Sequence, residues 1–211
     1  AQPEDPIEYP EVGLYHPQMK NRISEQLSDL PGHGRKDQPA VGLLLLRSYL
    51  LAGNTAHYDA VIHSLQARGL RVIPAFASGL DARPAMDRFF KNGGDSKIQS
   101  LVSLTGFSLV GGPAYNDASA AEVALSELDV PYIAAHPLEF QSIEQWGGST
   151  RGLLPVENTI MVAIPELDGS ILPMVYGGRP GPAGQTCTGC DKRCTFPTGP
   201  RSQDMFTCTE R

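Results

Sequence analysis

The sequence predicts an α/β fold: a parallel sheet flanked by helices in a Rossmann-like, three-layer arrangement, with a C-terminal hairpin and a Cys-rich irregular tail. Three observations carry this. Val41-Gly42-Leu43-Leu44-Leu45-Leu46 is a continuous apolar run, the pattern of a strand buried on both faces. Similar runs then alternate with helical stretches of about ten to fifteen residues, which means βαβ units and a parallel sheet. The 211 residues are 41% hydrophobic and 19% charged, a globular balance in a chain long enough to bury a core.

Residues 1–39 form an extended N-terminal segment in this reading. Pro3, Pro6, Pro10 and Pro17 each fix their own φ and disfavour helix in the residue before them. Lys20 to Leu30 reads as one short helix with Ile23, Leu27 and Leu30 on one face, ended by Pro31-Gly32-His33-Gly34.

Residues 40–150 read as the parallel α/β domain. After Val41–Leu46, Asn54 or Thr55 caps a helix presenting Tyr58, Val61, Ile62 and Leu65, and Gly69 ends it in a left-handed conformation. Leu70–Phe76 is the second strand, Asp81–Phe90 the next helix and Ile98–Leu104 the third strand. Asp117 caps an Ala-rich helix through Leu128, and Val130–Ala135 is the fourth strand. Ser142 with Gln145 forms a capping box before Trp146.

Residues 151–179 read as a hairpin, with strands Asn158–Ile164 and Ile171–Tyr176 joined by the turn Glu166-Leu167-Asp168-Gly169. Residues 180–211 are a loop segment carrying all four cysteines. The 22 glycines and 18 prolines require extensive loops, and no internal repeat is visible.

Several function classes are set aside. A net charge of −6 and a pI near 5.3 argue against a nucleic-acid-binding face. No apolar run approaches ~20 residues, so no membrane span is expected. No basic-then-apolar leader is visible, which fits a cytoplasmic protein. Ala1 in place of Met points to a chain processed, trimmed or excised from something longer. Gly111-Gly112-Pro113 lacks the spacing and the Lys-Ser/Thr ending of a phosphate loop, so no nucleotide is expected on this segment.

In an open parallel sheet, ligands bind outside the carboxyl ends of the strands. That rim collects Arg47, Ser48, Ser78, Thr105 and His136, with His57 in the first turn of a helix nearby. These are either ligand contacts or ordinary loop residues. His57 and His63, six apart on one helix, face different ways and cannot share a metal through it.

Asp168 is explained by the Asp-Gly turn dipeptide, whereas Glu166 is not. A carboxylate at a strand end serves as a general base or a ligand for a hard metal such as Mg²⁺. Cys187-x2-Cys190-x3-Cys194-x13-Cys208 suits four-thiolate ligation, an iron–sulfur cluster ahead of zinc, with two disulfides or free thiols as the other readings.

Longer stretches carry a family resemblance. They are Val41–Leu51 with Ala52-Gly53-Asn54-Thr55-Ala56-His57-Tyr58, Ala67–Phe76, Val102-Ser103-Leu104-Thr105-Gly106-Phe107, and Pro165-Glu166-Leu167-Asp168-Gly169. Together these resemble the large, porphyrin-binding subunits of magnesium chelatases, and more loosely those of cobaltochelatases. Leu109–Ala114 and Asp129–Ile133 favour the magnesium branch. Ala134–Phe140 and Pro155–Met161 are similar to its bacteriochlorophyll-pathway members.

The resemblance spans residues from about Glu8 to Tyr176 and implies an internal piece of a much longer subunit. It further implies protoporphyrin IX and Mg²⁺ as substrates, ATP-hydrolysing partner subunits, the remainder of the large subunit as a neighbour, and Glu166 as a catalytic carboxylate. It assigns nothing to the four cysteines. The competing class is a non-catalytic binding or scaffold module carrying a structural metal centre.

Overall fold

A computed structural model describes residues 9–35, 37–112, 115–179 and 194–195. Among the described residues the main sheet has eight strands. In chain order they are β1 (Val12–Tyr15), β2 (Ile23–Ser24), β3 (Ala40–Leu46), β4 (Arg71–Ala77), β7 (Ser100–Ser103), β8 (Tyr132–Ser142), β9 (Met174–Arg179) and β10 (Cys194–Thr195). A separate two-stranded ribbon holds β5 (Lys91–Asn92) and β6 (Asp95–Ser96). Across the main sheet the order is β10-β9-β8-β7-β3-β4-β1-β2. The five strands β9-β8-β7-β3-β4 are mutually parallel, and β10, β1 and β2 are added antiparallel at the two edges.

The predicted pairing of the first two strands is present, with Val41 opposite Val72 and Leu45 opposite Phe76. In the order β4-β3-β7-β8-β9, the first strand has the second on one side and the third on the other. This is a doubly wound order with its switch point between β3 and β7.

Alternation along β3 divides the core between two faces. Ala40 and Leu44 point to one side with Met86, Phe89 and Phe90 of the helical stretch α3 (Arg83–Ala85, continued as a π-helix over Met86–Phe90) and with α4 (Ala118–Leu128). Val41, Leu43 and Leu45 point to the other, against α1 (Arg47–Leu51) and α2 (Ala56–Ala67). Helices therefore cover both faces of the sheet. Gly42 is needed because a Cβ there would meet Ile98 Cδ1 at 2.7 Å and Phe90 Cζ at 3.0 Å. Asp117 caps α4 by accepting from the Ala120 amide at 3.0 Å, and Ser142 and Gln145 form the expected capping box on α5 (Ile143–Gly148).

Three expectations are corrected. Lys20–Leu30 is not a helix. A tight loop closed by His16 N donating to Arg22 O at 2.9 Å brings Ile23 opposite Tyr15, and a single 3₁₀ turn follows at Leu27–Asp29. Ile23 packs on one face of the sheet and Leu27 on the other, so no single helical stripe unites them. The N-terminal segment is thereby part of the sheet, because β1 pairs with β4.

The C-terminal hairpin is also absent. Residues 155–167 are continuously helical: α6 (Pro155–Glu157), a π-helical stretch (Asn158–Ala163) and α7 (Ile164–Leu167). Burial at Glu157, Met161 and Pro165, four residues apart, is the helical signature. This segment is a crossover, and β9 returns parallel to β8, with Ala135 opposite Met174. Finally, β8 continues past Ala135 to Ser142, so His136 lies within a strand and not at its end.

Candidate functional site

The chain leaves β3 toward α2 on one face and leaves β7 toward α4 on the other. A crevice therefore opens at the carboxyl ends of β3 and β7. It is lined by Leu44–Leu46, Gly79–Ala82, Ser103, Thr105 and Phe107–Leu109, and its volume is about 20 Å³, room for about one water. Inside it the Ser103 and Thr105 hydroxyls are 2.8 Å apart.

The helical segment 155–167 is fixed at both ends by buried carboxylates. At its front, Glu157 is fully buried. It accepts from the amides of Leu154 (3.1 Å), Phe140 (3.2 Å) and Gln141 (3.3 Å), and from the Gln141 side chain. At its end, Gly169 (φ +106°) closes a Schellman turn. Gly169 N donates to Glu166 O at 3.0 Å, and Ser170 N donates to Pro165 O at 2.9 Å.

Asp168, only 2% exposed, turns inward. Its Oδ2 accepts from the Leu109 amide at 2.7 Å and the Ser108 hydroxyl at 2.8 Å. Burial pushes its carboxyl above the usual range, opposed by the Leu109 amide, the Ser108 hydroxyl and the Asn116 side chain. The phenol of Tyr132 is pushed up by burial and by the Asp168 charge. Ser170 and Ile171 continue the anchoring: Ser170 Oγ accepts from Ala134 N at 3.0 Å, and Ile171 N donates to Tyr132 O at 3.0 Å.

Glu166 thus stands in the last turn of a helix, not in a hairpin turn, and is exposed. Val156, Leu167 (67% exposed), Ile171 and Leu172, from the same stretch of chain, are large apolar side chains left exposed.

The rim residues fare differently. Thr105 lines the crevice, and Ser48 is exposed in the first turn of α1. Arg47 donates through Nε to Pro10 O and through Nη2 to Tyr9 O, both at 3.0 Å, tying down the N-terminal segment. His57 is buried on the opposite face of the sheet, its ring edge-on to Tyr49 at 5.5 Å and 4.0 Å from Tyr58. His136 is buried with neither ring nitrogen hydrogen-bonded among the described residues, and burial lowers its pKa to about 4.

Cys187, Cys190 and Cys208 lie outside the described residues, and of Cys194 only its pairing with Gly178 in the sheet is described. Among the described residues no group of three or more His, Cys, Asp or Glu could hold a metal, and no helix is long and apolar enough to cross a membrane. Sequence reasoning missed Glu157, Ser108 and the burial of Asp168. The one available signal was an acid on the buried i, i+4 stripe of residues 157, 161 and 165.

Fold and site define a doubly wound α/β unit whose switch-point crevice is joined, through Asp168, to a helix carrying an exposed carboxylate. The CobN/Magnesium Chelatase family matches residues 1–206, and the chain belongs to that family. It is 57% identical over 207 residues to the magnesium-chelatase H subunit of Cereibacter sphaeroides, covering 98% of this chain and 17% of that protein. The chloroplastic magnesium-chelatase subunit ChlH of Oryza sativa subsp. indica is 42% identical over 188 residues, 83% of this chain and 14% of that one. Among solved structures, the catalytic subunit of cobaltochelatase from Mycobacterium tuberculosis shares the fold. Its TM-score is 0.63 at 23% identity, over 86% of this chain and 14% of that one. The chain thus spans about one sixth of the length of the curated relatives it matches.

Proposed function

We propose that this chain is a segment of the large subunit of a magnesium chelatase. In this reading the subunit binds protoporphyrin IX and receives Mg²⁺ in the (bacterio)chlorophyll pathway, working with ATP-hydrolysing partner subunits. The similarity to the Cereibacter sphaeroides magnesium-chelatase protein over nearly the whole chain carries the reading.

Metallating a porphyrin requires removal of two pyrrole protons and partial dehydration of Mg²⁺, an ion that holds its water tightly. Glu166 suits both tasks, as base and as transient oxygen ligand. Its exposure in the last turn of α7 supports this, because a base and transient ligand must be open to the substrate. Ser48 and Thr105 are the rim residues best placed for further substrate contacts. Arg47, His57 and His136 act in this reading by holding the rim from within.

The crevice of about 20 Å³ cannot hold a tetrapyrrole, so the rest of the large subunit supplies the cavity's other walls, and the isolated 211 residues do not insert Mg²⁺. The cysteine segment holds one metal centre, a [4Fe–4S] cluster ahead of zinc. The support for this is the spacing of the four thiols alone.

The test is reconstitution of the full-length subunit with its ATPase partners, offered protoporphyrin IX or a corrin-type ring, each with Mg²⁺ or with Co²⁺. ATP-dependent Mg²⁺ insertion is expected. Activity confined to Co²⁺ and a corrin-type ring would assign the chain to the cobalt branch.

A further inference from the structure

Two carboxylates of one short motif are put to opposite uses. Glu166 points outward from the last turn of α7. Asp168, two residues later, points inward and accepts from Leu109 N at 2.7 Å and Ser108 Oγ at 2.8 Å. An Asp-Gly turn needs neither contact. Gly169 alone supplies the left-handed residue, and the Gly169 and Ser170 amides already satisfy the last carbonyls of the helix.

The partners of Asp168 are about sixty residues away in sequence. Both line the switch-point crevice. A charge-assisted hydrogen bond to a backbone amide in a buried setting is among the stronger and more directional contacts available. Glu157 fixes the other end of the same helical segment to the end of β8. The segment is thereby held at two points, and the one nearer Glu166 is Asp168.

We propose that Asp168 is a positioning residue: by tying the Glu166-bearing helix to Ser108 and Leu109 at the crevice wall, it sets where the Glu166 carboxylate stands during metal insertion. This rests on the assignment of Glu166 as the working carboxylate. Asp168 touches neither substrate nor metal and acts through Glu166. A displacement of about 1 Å at a reacting group is enough to cost two orders of magnitude in rate.

The experiment uses the full-length subunit with its partner subunits. Asp168→Ala, Asp168→Asn, Ser108→Ala, Glu166→Gln and the double variant Asp168→Ala/Glu166→Gln are compared for kcat, KM for Mg²⁺ and porphyrin Kd. Asp168→Ala should lower kcat roughly tenfold or more with porphyrin Kd within about twofold. Asp168→Asn, whose oxygen still accepts from Leu109 N, should recover most of that loss. Ser108→Ala, which leaves Asp168 in place, should show a smaller loss of the same kind. The double variant should be no slower than Glu166→Gln alone, because groups acting as one unit are not additive.

Multiplicative losses in the double variant, or a fall in kcat matched by lost porphyrin binding and lost folding in Ser108→Ala as well, would show Asp168 to be purely structural. If Glu166→Gln is slow and Asp168→Ala is not, this inference alone fails. If Glu166→Gln is near wild type, the catalytic assignment fails and this inference with it.

Discussion

Glu157 and Gln141 join the helical segment 155–167 to the sheet through a buried polar contact. The carboxylate receives both the backbone amide of Gln141, at 3.3 Å, and its side-chain amide. With the Phe140 and Leu154 amides it takes four donors in a fully buried position. Truncation would remove the acceptor that these four donors share, although the Gln141 side chain keeps a second one in Gly152 O at 3.4 Å. Glu157→Ala is therefore expected to destabilise the 211-residue chain by about 3 kcal/mol or more. Urea denaturation followed by circular dichroism measures this. A loss under ~1 kcal/mol would show that water or rearrangement satisfies the donors.

His136 makes the fold sensitive to acid. Its pKa is lowered by burial to about 4 in the folded chain, against 6.5 unperturbed. The unfolded chain therefore binds the proton more readily. Stability from this group is fully present above pH 6.5 and is lost as pH falls through the folded value near 4. The window amounts to about 3 kcal/mol. Stability measured from pH 7 to pH 4 should fall accordingly, and His136→Leu should flatten that part of the profile. An unchanged slope in the variant would mean that another group carries the dependence.

The four cysteines lead to a prediction about composition. Residues 180–211 hold few large apolar side chains, chiefly Phe196, Met205 and Phe206, so burial alone does not offset the entropy of ordering them. A centre bound by all four thiols would cross-link the chain between Cys187 and Cys208. Anaerobically purified protein should contain iron and sulfide, or else zinc, and Cys190→Ser should lose it while residues 40–176 stay folded. Absence of bound metal, or two disulfides in freshly lysed cells, would reject the centre.

Much of the sheet was legible because buried parallel strands write themselves as unbroken apolar runs. Val41–Leu46 and Leu70–Phe76 identified β3 and β4 almost to the residue. β1 was not legible because its core residues, Leu14 and Tyr15, are few and lie among prolines. What makes it a strand is the neighbour β4, whose Phe76 ring occupies the space above Gly13. The helical segment 155–167 was misread because its buried stripe consists of an acid, a methionine and a proline. Meanwhile Ile160-Met161-Val162-Ala163-Ile164 looks like a strand in isolation. Glu166 stands out in the sequence as an acid that an Asp-Gly turn does not require, but its place in the last turn of α7 does not. The burial of Asp168 was not, because its partners Ser108 and Leu109 are brought to it only by the tertiary fold.

Under the proposed function, Glu166 performs chemistry in Mg²⁺ insertion and is not an ornament of a scaffold. The most direct measurement is the steady-state rate of Mg²⁺ insertion into protoporphyrin IX by the full-length subunit carrying Glu166→Gln, with its ATPase partners, alongside its porphyrin affinity. The exposed position of Glu166 predicts intact folding and porphyrin binding, with kcat reduced by about two orders of magnitude or more. A rate near wild type would remove Glu166 from the chemistry and leave this chain a binding module whose chemistry resides elsewhere in the subunit.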